Sequence, residues 1–387
     1  MNYDFKIPLK VSLAEKDDLK ELIYELRYNI YIEELGKKSQ SIDHKRCWIK
    51  DDLDLKAELY ALQDENNKLI GTVRINQIDR LDNPMEELYP LPIQNILNVI
   101  DASSITYVSR LMIRKDYRGG KAFSKLAFHA YQKAIEKNHE FSICNTRPGL
   151  VTLYEQLGYR RFCAGKEFPN IGFQIPMIMA LKDYEHFHRI GSPLYRYKNR
   201  YKKIEHFKKI IIEQLCTCYP AINRLLNNEK EFWENAEDTL QKKENALFNG
   251  ITKIESKSLL KFGTILECSA GEKIIKEEEE QNELFILLKG YAEVSKNKDG
   301  KRICLALINP GDVIGEMAFL TNKKRSADVI SITNSEVLVL TENFLEKCMN
   351  TQSKLISIFL LNLSRQLAKK LADTNDLVLK LSARVNE

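Results

Sequence analysis

The sequence predicts an α+β or α/β domain, a mixed sheet with helices, followed by a helical linker and a small antiparallel β-roll with flanking helices. Three observations predict it. Helix-period and strand-like segments alternate through residues 1–190; residues 195–245 are basic and then helical in composition; from about 246 short strands broken by glycine lead into a long terminal helix. Domain boundaries are therefore expected at 1–190, 191–245 and 246–387. The 387 residues fit two or three domains, and 44% hydrophobic residues exclude a mainly disordered chain. Lys+Arg at 59 against Asp+Glu at 54 leave +5, below what a dedicated nucleic-acid coat would show.

In the first region Leu19, Leu22, Ile23, Leu26 and Ile30 repeat with the period of an amphipathic helix over 15–32. Residues 57–62 and 69–75 read as strands around the polar turn 64–68, and 105–113 as a further strand. A basic loop at 114–120 leads into a helix over 121–137. A strand at 141–144, a short helix at 150–157 and a strand at 158–163 follow. Past the linker, strands at 271–276, 284–288, 291–295 and 303–308 are separated by turn signals such as Lys298-Asp299-Gly300, the spacing of a β-roll or jelly roll. Residues 353–381 read as a long helix with apolar positions near a 3,4 spacing, suited to packing on the roll or pairing with a second copy.

Eight cysteines without framework spacing, Cys216-x-Cys218 being the one close pair, argue for a reducing compartment. With no apolar leader and no apolar run near 18 residues, a cytoplasmic protein is expected. No metal is expected, because the usual ligand spacings are absent.

The first chemical constellation is the strand–loop–helix at 105–137. The loop Arg114-Lys-Asp-Tyr-Arg118-Gly119-Gly120-Lys121 enters a helix N-terminus, whose free N–H groups and positive dipole end suit a diphosphate or phosphopantetheine. A solvated, flexible turn is the plain alternative. Its flanks are Tyr-Val-Ser109-Arg110-Leu111-Met-Ile113 before and Leu153-Tyr154-Glu-Gln-Leu-Gly158-Tyr159 after. They resemble the GNAT acyltransferase superfamily, and the resemblance implies donor binding along Ser109, Leu111, Ile113, Arg118, Gly119, Gly120 and Lys121. It also implies that Tyr154 protonates the departing thiolate; packing against the sheet is the alternative. The family loop is Arg/Gln-x-x-Gly-x-Gly/Ala, whereas here the glycines come early and Lys121 and Phe123 stand at small positions.

That weakened loop resembles the branch of autoinducer synthases and N-acyl amino acid synthases, many of which accept acyl groups from acyl carrier protein, so either acyl-CoA or an acyl carrier protein is expected as donor. The order Arg27-Tyr28-x-x-Tyr31-x-Glu33-Glu34, Asp51-Asp52-Leu-Asp54, Gly71-Thr-Val-Arg74, Ser109-Arg110 is similar to that branch over residues 15–185. By that resemblance Glu33, Asp52 and Asp54 bind or deprotonate an amine, while Arg74 and Arg110 hold a carboxylate or the acids. A carboxylate suits the task because only a neutral amine attacks a thioester. Structural ion pairs at strand ends are the alternative. The apolar run 168–179 reads as a buried strand or an acyl-chain pocket.

Basic residues interleaved with tyrosine at 195–203 read as a linker face, with docking to an acidic carrier, an anionic membrane or nucleic acid as alternatives. Downstream, Asn309-Pro-Gly-Asp-Val-Ile-Gly315-Glu316-Met317-Ala318 runs on to Arg325-Ser326-Ala327. This resembles the phosphate-binding cassette of cyclic nucleotide-binding domains. The resemblance implies Arg325 on the cyclic phosphate, Glu316 on the ribose hydroxyl, and backbone N–H donors near Met317, Ala318 and Ala327. Ser326 adds a hydroxyl and leans to cAMP over cGMP. A family glycine is replaced in the turn 277–280, so an altered turn is expected there.

These features together lead to the expectation of a cyclic-nucleotide-regulated N-acyltransferase with a small amine acceptor, and of a homodimer through the terminal helix. A cAMP-regulated protein lysine acetyltransferase and a non-catalytic nucleotide sensor are the other readings. No helix-turn-helix follows the roll, which argues against DNA binding.

Overall fold

A computed structural model describes residues 9–36, 42–118, 121–168, 171–200, 214, 246–252, 255–256, 263–298 and 300–385. Most of the basic linker, Cys216, Cys218, Gly119 and Gly120 lie outside the described residues. The chain divides into two compact units, the first holding 1–227 with 272–281 and 324–329, the second 228–271, 282–323 and 330–387.

In the N-terminal part the strands are β1 (Lys10–Leu13), β2 (Ala57–Gln63), β3 (Leu69–Gln77), β4 (Ile105–Ile113), β5 (Phe141–Thr146), β6 (Arg160–Arg161), β7 (Lys166–Phe168) and β8 (Gly172–Ala180). They form one sheet in the order β1-β2-β3-β4-β5-β8-β6, with β7 paired to β8. The helices are α1 (Asp17–Tyr28), α2 (Pro84–Glu87), α3 (Ile93–Leu97), α4 (Lys121–Glu136), α5 (Val151–Leu157) and α6 (Tyr184–Arg189). α1 places Ile23 and Tyr24 on Leu59 and Ala61 of β2, which is why its apolar residues recur at helical spacing. It then widens into a π-helical turn, Asn29–Glu34.

All pairs in this sheet are antiparallel except β4 with β5, which α4 joins as a crossover. Their pairing runs from Ile105↔Phe141 to Tyr107↔Ile143 and stops there, although β4 continues to Ile113 and β5 to Thr146. Against β3 the register shifts between Thr72↔Met112 and Arg74↔Ser109, so Arg110 and Leu111 oppose the single Val73. Arg110 takes φ +53, a left-handed conformation rare for a side chain of its size. A bulge and a splayed parallel pair thus open one stretch of the sheet.

In the C-terminal part the strands are β9 (Thr264–Cys268), β10 (Lys273–Ile275), β11 (Leu284–Lys289), β12 (Ala292–Lys298), β13 (Lys301–Ile308), β14 (Val313–Ile314), β15 (Asp328–Ser331) and β16 (Ser335–Leu340). They form two four-stranded sheets, β9-β16-β11-β14 and β10-β15-β12-β13. The helices are α7 (Glu316–Thr321), α8 (Glu342–Thr351) and α9 (Ser353–Val385). The apolar faces of β11 and β16 close a core with Phe344 of α8 and Ile356, Phe359 and Leu363 of α9. Mixed sheet and β-roll are both as the sequence predicts. Among the described residues no helix is long and apolar enough to cross a membrane.

Candidate functional site

Two cavities lie where β4 and β5 part. One, of about 280 Å³, is lined by β4 from Val108 to Ile113, by Arg118 and Phe123, and by Leu150, Leu153 and Tyr154. The other, of about 450 Å³, is lined by Asp51, Asp52, Arg74, Glu86, Glu87 and Tyr107, among others. Tyr31, Ser109, Arg110, Asn145, Ile171 and Gln174 line both, so the cavities meet at the bulge.

The first cavity runs along the edge of β4 to Arg118 of the basic loop and Phe123 in the first turn of α4. Ser109, Leu111, Ile113 and Arg118 line it, and Lys121 is exposed and does not. Arg118 donates from Nε to the Ile113 carbonyl at 2.9 Å and pairs with the Glu34 carboxylate. Tyr154 is buried between the rings of Phe123 and Tyr159, with centroids 5.7 and 5.5 Å away. Burial, with smaller contributions from Cys144 and Tyr31, pushes its phenol well above the usual range. It therefore carries its proton at neutral pH, which a proton donor to a thiolate requires; the same burial weakens it as an acid.

The second cavity is acidic. Four carboxylates, Asp51, Asp52, Glu86 and Glu87, face two guanidiniums, Arg74 and Arg110. Asp51 is the hub of their pairing: Arg74 Nη1 donates to one oxygen and Arg110 Nη2 to the other at 2.7 Å. Burial alone would raise its carboxyl, but Arg74 and Arg110 outweigh it and hold Asp51 well below the usual carboxylate range. Arg74 also donates from Nε to Ser109 Oγ at 2.9 Å and from Nη1 to Asp54 at 3.2 Å. The Arg110 guanidinium lies 5.1 Å from the Tyr31 ring centroid.

The structure separates the acids that the sequence groups together. Asp54 is buried and takes both oxygens to Arg27 Nη1, at 2.9 and 2.8 Å, and it accepts from the Asp51 N–H at 2.9 Å. Burial drags the Arg27 guanidinium down to about 10 against the pull of Asp54. Asp54 thus anchors the turn to α1 and lines neither cavity, while the exposed Asp52 lines the second. Glu33 is exposed and lines neither. Sequence reading assigns no role to Asp51, Glu86, Glu87, Asn145 or Gln174. Asp51 and Glu86-Glu87 carry a visible signal, adjacent acids, whereas Asn145 and Gln174 stand in apolar strands. The apolar run 168–179 supplies β8, buried along its whole length.

In the nucleotide cassette Gly315 adopts φ +81 as the residue before α7, a conformation that glycine allows. Ala318 is buried, Met317 is 58% exposed, and Glu316 accepts from Lys370 Nζ of α9 at 2.9 Å. In the other unit Arg325 is 2% exposed; its N–H donates to the Glu279 carbonyl and its carbonyl accepts from the Glu278 N–H, both at 2.9 Å. Ala327 is buried and Ser326 exposed. Glu278 sits at φ +67, so the turn 277–280 keeps a glycine-like backbone without glycine.

A splayed parallel pair, Arg118 before α4 and a buried tyrosine thus meet along one cavity. Comparison with known proteins gives the families. Residues 22–181 match the model of the N-acyl amino acid synthase FeeM, an N-acyltransferase family, and residues 265–352 match that of the cyclic nucleotide-binding domain. The chain thus joins a segment similar to N-acyl amino acid synthases, over 22–181, to a segment similar to cyclic nucleotide-binding domains, over 265–352.

The chain is 35% identical over 83 residues to the cAMP-dependent protein kinase regulatory subunit of Mycosarcoma maydis, covering 21% of this chain and 16% of that protein. It is 31% identical over 110 residues to the anaerobic regulatory protein of Bacillus subtilis (strain 168), covering 27% and 45%. It therefore spans less than half the length of either curated relative. Among solved structures it is similar to the catabolite activator protein of Thermus thermophilus, at 24% identity and TM-score 0.33, covering 36% of this chain and 63% of that one. It is also similar to a cyclic nucleotide-binding domain from Methylobacillus flagellatus KT, at 20% identity and TM-score 0.35, covering 38% and 83%.

Proposed function

We propose that the N-terminal domain moves an acyl group from a thioester, on CoA or acyl carrier protein, to the amine of a small amino acid-like acceptor. The observation that carries this is the meeting of two cavities at Ser109, Arg110, Asn145 and Gln174. The donor thioester occupies the groove with Tyr154 and the acceptor the acidic cavity. The neutral amine attacks the thioester carbonyl, the C–N bond forms and the C–S bond breaks. The sulfur takes a proton from Tyr154, and the nitrogen gives its surplus proton to Asp52 at the acceptor side. Arg110, engaged by Asp51 through Nη2, keeps further N–H donors for an acceptor carboxylate.

The C-terminal domain binds a cyclic nucleotide through Arg325, Glu316 and the cassette backbone, and controls the transferase. The Mycosarcoma maydis relative, named as cAMP-dependent, and Ser326 both favour cAMP. Domains at 1–190 and 246–387, joined by 191–245, complete this reading. α9, whose Leu371 and Val378 are exposed at 63% and 54%, pairs with a second copy.

Thermal unfolding with octanoyl-CoA, an octanoyl carrier protein, acetyl-CoA and cAMP tests the assignment. Ligand at 100 times its dissociation constant adds about 2.7 kcal/mol. The expected result is stabilisation by a medium-chain thioester and independently by cAMP, with amide formed from amino acids. Arg325→Gln should remove the cAMP shift alone. If no thioester stabilises the protein and no amide forms, the transferase reading is wrong; a shift with cAMP only would leave a nucleotide sensor.

A further inference from the structure

Gln174 interrupts an otherwise apolar nine-residue strand, Gly-Phe-Gln-Ile-Pro-Met-Ile-Met-Ala, that is buried throughout. It is 4% exposed, yet it lines both cavities. Its Nε2 donates to the carbonyl of its neighbour Phe173 at 3.0 Å, so the amide oxygen is the group it has to offer a ligand. Asn145, at the end of β5, also lines both cavities. Its Nδ2 donates to Tyr107 Oη at 3.3 Å, and its Oδ1 is buried without a partner among the described residues.

The sheet puts the two on one face. Asn145 pairs with Pro176 across β5 and β8, and Gln174 lies two residues from Pro176 on the same strand. Phe141, Ile143, Ile178 and Ala180, on that same face, belong to one apolar cluster. At the cavity end this surface gives way to two amides. Asn145 Oδ1, buried without a partner among the described residues, carries a cost that a ligand N–H would remove.

On the reading of the two cavities as donor and acceptor sites, we propose that Gln174 Oε1 and Asn145 Oδ1 hold the reacting nitrogen of the acceptor. A neutral primary amine has two N–H donors and one lone pair. Two amide oxygens accept the N–H groups and leave the lone pair for the thioester carbonyl. They take up no proton themselves, so they favour the neutral amine where a carboxylate would favour the unreactive ammonium. The step balances as before: C–N forms, C–S breaks, Tyr154 protonates the sulfur, and the nitrogen loses one proton to Asp52. Gln174 and Asn145 are positioning residues that take no part in the proton account.

The test compares wild type with Gln174→Met, Gln174→Glu and Asn145→Leu, using octanoyl thioester and an amino acid panel. It reads amide formed against free octanoic acid, and thioester dissociation constants by thermal shift. Gln174→Met and Asn145→Leu should each lower kcat/KM for the amine about tenfold while donor affinity stays within about twofold. The share of thioester lost as free acid should rise. Gln174→Glu should move the pH optimum for amide formation upward, because its carboxylate holds the ammonium. Should Gln174→Met fail to bind donor, Asn145→Leu and the Gln174→Glu pH profile decide. If the soluble, donor-binding variants keep the wild-type ratio of amide to acid and the wild-type pH profile, the proposal is wrong and the transferase reading stands. If wild type makes no amide from any acceptor, both fall.

Discussion

On the proposed reading Tyr154 is at once a packing residue and the proton donor to the leaving thiolate. Its ring packs between Phe123 and Tyr159, and the residue lines the first cavity. Because burial raises its pKa, the proton is present throughout the neutral range and no acidic limb of the rate profile belongs to it. Tyr154→Phe keeps the ring and removes the proton, so kcat should fall about 100-fold with donor affinity unchanged. Single-turnover kinetics beside a thermal shift with thioester would show this; an unaltered kcat would assign the proton to another group. Sequence alone exposes Tyr154, Ser109 and Arg110, because each sits in a stretch whose order and spacing can be matched. It does not rank Asp51 above Asp52 and Asp54, since the ranking comes from a 3-10 turn, Asp52–Lys56, that sets Asp51 at its head on Arg74 and Arg110 and turns Asp54 onto Arg27. Gln174 escapes because a single glutamine in an apolar run carries no meaning until the sheet gives it a neighbour.

Elements with their own periodicity were the readable ones. α1, α4 and strands β2 to β5 stand close to where their patterns place them, since each buries one face on a partner within the same domain. Strands β1, β14 and β15, of two to four residues, have too few alternations to declare themselves and exist because a neighbouring strand pairs with them. The bulge at Arg110 is equally silent, being a register relation between two strands. A different element gives a pH prediction. His186 in α6 is buried, and that burial, with Arg160 and Arg189 beside it and Asp183 and the Gly158 backbone in opposition, lowers its pKa to about 4. The unfolded chain takes the proton near 6.5. The contribution is therefore fully present above about 6.5 and is lost as pH falls toward 4. At pH 5 the unscreened loss would be about 2 kcal/mol, and solvent screening halves it to about 1 kcal/mol, or about 2–4 °C in Tm. His186→Gln should lose that much less between pH 7 and 5 in parallel thermal scans. Equal losses would mean that other groups carry the acid sensitivity.

At the scale of the whole molecule, a transferase domain and a nucleotide domain on one chain imply control only if ligand at one changes the free energy of ligand at the other. Such a coupling is reciprocal. Whatever factor cAMP imposes on thioester affinity, the thioester must impose on cAMP affinity, and couplings of this kind are typically about 1–3 kcal/mol, or roughly 5–150-fold. The expected outcome is a shift of that order in the cAMP dissociation constant when octanoyl thioester is saturating, equal to the shift of the thioester constant when cAMP is saturating. Arg325 makes the test specific. It is a buried guanidinium outside the two transferase cavities, so Arg325→Gln should abolish both shifts and leave uncoupled transfer intact. Isothermal titration of each ligand, with and without the other, measures both constants, and turnover with and without cAMP covers an effect on rate alone. If both constants and turnover stay unchanged, the two domains share a chain without sharing control.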